Sequence, residues 1–301
     1  MNTHAPSSPF LIRPEQVAAI RSLSLRARLI VEGMIAGLHR SPYHGFSVEF
    51  SEYRPYRPGE STRFIDWRQF AKTDRSVVRL FEDETNLFAH LLLDKSASME
   101  FSSGAISKFE YARTLCAALA WVLIHQRDAV GFAAFDESVE GFVPPRSTNR
   151  QLSTILTQLQ TQQPAATTRC GLAFDWLGSV VKRRGLCIIF SDLLDDIDAI
   201  VSGLRHLRFK QQDIIMVRVL DPMELHFEGA TPFRLIDLES GQRMELDAAV
   251  ASQAYAQHFG HHRAALDAAC RDAGAQLHYV MTDEPFQKAL FSIIKQRKQL
   301  P

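Results

Sequence analysis

The chain of 301 residues is 46% hydrophobic and 23% charged, the balance of a soluble globular protein with room for one main domain and an appendage. Its 34 lysines and arginines are matched by 34 aspartates and glutamates, which excludes a global field that would draw it to nucleic acid or to an anionic membrane. Thr114 to Gln126, the longest uncharged run near the middle, is shorter than the roughly 20 apolar residues of a spanning helix, so no membrane span is expected.

Met1 to Pro9 is rich in Ser, Pro and Thr, without a basic start or an apolar stretch. It reads as a frayed tail and not as a secretion signal. Pro14 to Leu38 places Val17, Ile20, Leu23, Leu29, Ile30, Met34 and Leu38 at roughly helical spacing, which predicts one long amphipathic helix with Pro14 in its first turn. From Arg40 to Thr85 the pattern changes to short extended pieces, Phe46 to Tyr53 and Val77 to Phe81, separated by the turn-forming Arg54-Pro55-Tyr56-Arg57-Pro58-Gly59-Glu60. Residues 1–85 are therefore expected to form an N-terminal helix and extended arm, and residues 86–301 the main domain.

After a strand over Leu87 to Leu93 the chain alternates. Helices are expected over Lys108 to Arg127, Ser147 to Gln160, Gly171 to Lys182, Ile197 to Leu207, Ala248 to Ala273 and Pro285 to Lys298. Strands are expected over Ala129 to Phe135, Val139 to Val143, Gly185 to Phe190, Asp213 to Leu220 and Gln276 to Met281. Val139 to Val143 reads as a short edge strand that stops before Pro144-Pro145. Pro232 to Leu246 reads as a hairpin within an insertion of about residues 225–247. Alternating β and α units joined by short loops predict an α/β fold, a doubly wound and mostly parallel sheet with helices on both faces.

Cys116, Cys170, Cys187 and Cys270 are scattered and form no C-x-x-C pair, so they read as reduced core residues of a cytosolic protein. His258, His261 and His262 have helical spacing but no Glu nearby in sequence, which favours a solvated helix face over zinc. Asp195, Asp196 and Asp198 read as charges at the start of the helix that follows them.

The chemistry concentrates at strand ends. Leu87 to Leu93 runs into Asp94-Lys95-Ser96-Ala97-Ser98, one carboxylate and two hydroxyls at alternate residues, the layout of a metal-ion-dependent adhesion site. Thr167-Thr168-Arg169-Cys170-Gly171 precedes a helix, and Cys187 to Phe190 runs into Ser191-Asp192. Ligands of open α/β sheets gather at the carboxyl ends of the strands, so Asp94, Ser96, Ser98, Thr168 and Asp192 are expected to converge. Such oxygens suit a hard cation such as Mg²⁺. Neutral hydroxyls leave most of its charge uncompensated, so an open position would favour an Asp or Glu offered by another protein, and binding is a more natural output than bond cleavage. The pentapeptide alone also fits an Asp that caps the next helix while the serines bond backbone amides.

Asp94-Lys95-Ser96-Ala97-Ser98-Met99, Thr168 and Ser191-Asp192 resemble the metal site of von Willebrand factor type A domains. Glu49-Phe50-Ser51-Glu52-Tyr53-Arg54-Pro55-Tyr56-Arg57-Pro58-Gly59-Glu60, followed by Arg63-Phe64-Ile65-Asp66-Trp67, resembles the hallmark of the family catalogued as domain of unknown function 58, typically encoded beside MoxR-type AAA+ ATPases. The resemblance implies a type A fold with strand order 3-2-1-4-5-6, a metal site at the top of strands one and four, and a cytosolic partner of a MoxR-type ATPase acting on a client protein. This chain departs from the pattern in carrying Thr167 where a Gly usually precedes the threonine, so Thr167 or Thr168 could be the ligand. Arg54, Tyr56, Arg57, Arg63, Asp66 and Trp67 could form a docking surface for the ATPase or a structural clamp. Basic residues of this segment are interspersed with acidic ones, which argues against nucleic acid.

The competing class is an Mg²⁺-dependent phosphatase using Asp94. It would need a second Asp where this chain has Ser96, and no phosphate loop, G-x-S-x-G or H-E-x-x-H occurs, so the chain is not expected to be an enzyme. Because the site is expected at an exposed sheet edge, Asp94→Ala or Ser96→Ala should weaken ion binding without unfolding the protein.

Overall fold

A computed structural model describes residues 11–39, 53–55, 77–79, 87–165, 167–225, 233–236, 243–246 and 248–297. Two helices open the chain, α1 (Pro14–Ala18) and α2 (Leu23–His39). The single long helix expected here is thus broken at Ala19 to Ser22. The Ser22 hydroxyl accepts from Leu25 N (3.3 Å), and the Arg26 guanidinium turns back onto the Ile20 carbonyl, so side chains satisfy the backbone that a continuous helix would have used. Two strands, β1 (Tyr53–Pro55) and β2 (Val77–Arg79), pair antiparallel. The rest of the predicted extended pieces lies outside the described residues.

The main sheet is built from β3 (Phe88–Asp94), β4 (Ala129–Phe135), β5 (Val139–Arg146), β6 (Gly185–Ser191), β7 (Gln212–Leu220) and β10 (Gln276–Met281). Its six strands run in the order β10-β7-β6-β3-β4-β5, all parallel except β5. Counted from β3, this is the order 3-2-1-4-5-6, the doubly wound, von Willebrand factor type A-like architecture. Between them lie α3 (Lys108–His125), α4 (Asn149–Thr161), α5 (Cys170–Val180), α6 (Ile197–Phe209), the single turn α7 (Pro222–Leu225) and α8 (Ala248–Asp272), with α9 (Phe286–Arg297) last. The predicted hairpin forms as β8 (Phe233–Ile236) paired with β9 (Arg243–Leu246).

The central strands are apolar on both faces because helices cover both. Leu91, Leu93, Ile188, Phe190 and Val217 face a core shared with α2, α3, α4 and α9, whereas Leu92, Cys187, Ile189 and Met216 face α5, α6 and α8. All four cysteines are buried free thiols. The strand β5 runs through Pro144 and Pro145 and does not stop before them. It lies at the sheet edge, where a missing N–H breaks no ladder, and Gln151 Nε2 donates to the Val130 (2.7 Å) and Pro144 (2.8 Å) carbonyls across the junction. Among the described residues, no helix is long and apolar enough to cross a membrane.

Candidate functional site

The register sets Leu93 of β3 opposite Phe190 of β6, so the two strands deliver Asp94 and then Ser191-Asp192 to one end of the sheet. Asp94 keeps the parity of Leu92, and its Oδ2 accepts from the Ser191 hydroxyl at 2.5 Å while Oδ1 accepts from Ser96 N at 2.9 Å. Asp192 keeps the parity of Phe190, which turns it toward α3. Just beyond it, Leu193 adopts a left-handed backbone (φ 55°), an arrangement that costs a bulky residue about 1 kcal/mol. Ser191 Oγ accepts from Leu193 N (2.9 Å) and Asp192 Oδ1 from Leu194 N (3.2 Å), and these bonds hold the turn.

Hydroxyls lie by the two carboxylates. Ser96 Oγ lies 3.1 Å from Ser98 Oγ, and the Ser98 hydroxyl helps to hold the Asp192 carboxyl below its ordinary value. The threonine loop is tied to the same end of the sheet through Ala165 N to the Lys95 carbonyl (2.8 Å) and Arg169 N to the Asp136 carbonyl (3.2 Å). Thr168 is buried in it and Thr167 is exposed, so Thr168 is the inward residue of the pair. The Lys95 ammonium, 2.5 Å from Asp136, braces the base of the loop.

Asp94, Ser96 and Asp192 are wholly buried, which corrects the expectation of an exposed sheet edge. The loops after β3 and β6 and the start of α5 close over the strand ends, and each buried oxygen has found a partner there. Burial, with the Asp192 carboxylate behind it, pushes Asp94 up to about 7. Burial works against Asp192 as well, but the adjacent Lys108 charge and bond hold it below the ordinary carboxylate value.

Lys108 was not among the residues singled out from the sequence. Its Nζ lies 2.7 Å from Asp192 Oδ2 and 2.6 Å from Glu224 Oε1, with the side chain 1% exposed. A signal for it exists in the sequence. Ser107 caps α3, which makes Lys108 the first residue of a largely apolar helix, and a cation at a helix N-terminus opposes the macrodipole. Such a lysine needs carboxylates from elsewhere in the fold. Arg218, also fully buried, donates from Nε to the Asp192 carbonyl (2.9 Å) and lies over the Phe259 ring.

Two further expectations change. His258 and His261 are exposed, but His262 lies with Nδ1 3.3 Å from Arg218 and is not on a solvated face. Asp196 and Asp198 do open α6, whereas Asp195 reaches back to accept from Cys170 N (2.7 Å) at the start of α5. Arg54 falls in β1, and only its backbone is described. Tyr56, Arg57, Arg63, Asp66 and Trp67 lie outside the described residues.

The residues present fit a divalent ion by charge and by donor type. Asp94, Asp192 and Glu224 set three buried carboxyl groups against two cations, the Lys108 ammonium and the Arg218 guanidinium on the Asp192 carbonyl. Asp94, Ser96, Ser98, Thr168 and Asp192 would hold the ion, which would supply an electrophilic position for an incoming oxygen ligand.

The model of the family described as "Protein of unknown function DUF58" matches residues 52–265. Uncharacterized proteins of Mycobacterium bovis and Mycobacterium tuberculosis are each 27% identical over 293 residues, 95% of this chain and 91% of theirs. Among solved structures, the conserved hypothetical protein BatB from Bacteroides thetaiotaomicron aligns with a TM-score of 0.48 at 17% identity, over 71% of this chain and 100% of that one. The SpRpn10 VWA domain aligns with a TM-score of 0.42 at 12% identity, over 69% and 94%. With more than half of its length matched by the family model, the chain belongs to the DUF58 family.

Proposed function

We propose that this protein is a metal-ion-dependent binding adaptor: Mg²⁺, held by Asp94, Ser96, Ser98, Thr168 and Asp192, grips a carboxylate of a partner protein. A type A-like fold suits protein interaction, and the observation that carries the reading is the delivery of Asp94 and Asp192, from two strands, to one buried end of the sheet beside the Ser96 and Ser98 hydroxyls. A capping Asp would not need a second buried carboxylate, from a separate strand, beside it. Binding is the activity we assign. The partner we assign is a MoxR-type AAA+ ATPase together with its client, an inference from family resemblance, with the Arg54 to Trp67 segment as the docking surface.

The test is retention of the MoxR-type ATPase from the same organism on immobilised protein, with Mg²⁺ and with chelator. Retention should require the ion and should be lost in Asp94→Asn. Equal retention in chelator, or Mg²⁺-dependent hydrolysis of a generic phosphatase substrate that Asp94→Asn abolishes, would overturn the reading.

A further inference from the structure

Lys108 poses a problem for any ion at this site. Its ammonium already bonds Asp192 Oδ2, at 2.7 Å, which is one of the oxygens an incoming cation would use. The same nitrogen bonds Glu224 Oε1 at 2.6 Å, so it has a second carboxylate to stay with if it gives up the first. Glu224 is fixed for that role: its Oε2 accepts from Asp221 N at 2.8 Å, within the turn α7 that ends β7. A divalent ion would take Asp94 and Asp192 as its carboxylates and leave Glu224 to Lys108, a division in which the ammonium and the ion no longer share one carboxylate. In a buried site that division is strongly favoured, because an uncompensated charge there is far more costly than in water. Lysine suits such a shift, having a compact charge on a flexible four-carbon stem.

We propose that Lys108 is an exchangeable internal counter-ion, which neutralises Asp192 when no ion is bound and transfers wholly to Glu224 when a divalent ion enters. This rests on the metal-site reading given above. It makes Lys108 the residue that sets ion affinity. It also ties ion occupancy to α7, whose Met223 and Leu225 are exposed beside Glu224.

The experiment is a calorimetric Mg²⁺ titration of the wild-type protein and of Lys108→Met. With the competitor removed, Lys108→Met should bind at least about tenfold more tightly, the effect of deleting one nearby positive charge. Should that variant fail to fold, the wild-type protein with ¹⁵N-labelled lysine and ¹³C-labelled aspartate and glutamate side chains answers the same question. The scalar coupling across the Lys108–Asp192 hydrogen bond should vanish as Mg²⁺ saturates, while that to Glu224 persists. Equal or weaker binding by Lys108→Met, or an intact Lys108–Asp192 coupling in saturating Mg²⁺, overturns the exchange and leaves the metal site standing. Absence of saturable binding in both proteins overturns the metal site and the exchange together.

Discussion

The ammonium of Lys108, the first residue of α3, lies 2.7 Å from the Asp192 carboxylate at the end of β6, and both side chains are buried. Helix and strand are thus joined by an ion pair at the point where the sheet presents its candidate ligands.

The pair should be costly to break on one side. In chelator, Lys108→Met leaves Asp192 and Glu224 without their cation and should lower stability by about 3–5 kcal/mol. Adding Asp192→Asn removes one stranded charge and should recover a large part of that loss. Urea unfolding of the two variants measures both effects. A loss below about 1 kcal/mol in Lys108→Met would show the pair to be marginal.

Asp94 should separate shape from charge. Asp94→Asn keeps an acceptor for Ser96 N, lets its Nδ2 donate to Ser191 Oγ in place of the bond that hydroxyl now donates, and relieves repulsion with Asp192, so stability without metal should hold or rise while Mg²⁺ binding is lost. Asp94→Ala leaves both donors unpaired in a buried site and should cost about 2–4 kcal/mol. Thermal unfolding with and without Mg²⁺ distinguishes the two, and equal stability of Asn and Ala variants would contradict the argument.

His90 predicts a response to acid. Burial lowers its imidazole from 6.5 to about 4, so the folded protein keeps it neutral while the unfolded chain protonates below about 6.5. Its contribution to stability is present above that pH and is lost as pH falls toward about 4, by on the order of 2–3 kcal/mol. His90→Phe should flatten the decline between pH 6.5 and 4 relative to wild type in urea unfolding. An unchanged decline would assign the acid sensitivity to other groups.

Gly203 should reverse an ordinary rule. An alanine within a helix usually gains about 1 kcal/mol over glycine. At Gly203 on α6, however, an added Cβ would meet Phe174 Cβ of α5 at 2.6 Å. Gly203→Ala should therefore destabilise the protein by about 1–3 kcal/mol in chemical denaturation. A stabilised variant would mean that the two helices can move apart freely.

The strand ends were legible in the sequence because buried parallel strands are continuous apolar runs, and a polar residue closing such a run marks the crest. This is why Asp94 and Asp192 stand out. The inward choice of Thr168 over Thr167 was not legible, since it depends on how the loop lies over Lys95 and Asp136. Lys108 and Glu224 were missed because their meaning is a contact between residues 116 apart in sequence, which no periodicity encodes. The break at Ala19 to Ser22 was missed for a local reason, competition by the Ser22 hydroxyl and Arg26 for helical backbone partners. Burial of the site was missed because strand-end position suggests exposure until the covering loops are placed.

The most direct measurement is a crystal structure grown with Mn²⁺ and recorded for anomalous scattering. A single peak should lie within direct or water-mediated reach of Asp94, Ser96, Ser98, Thr168 and Asp192, with Lys108 withdrawn to Glu224. An ordered site without a peak at saturating Mn²⁺, with Lys108 still bonded to Asp192, would contradict the account.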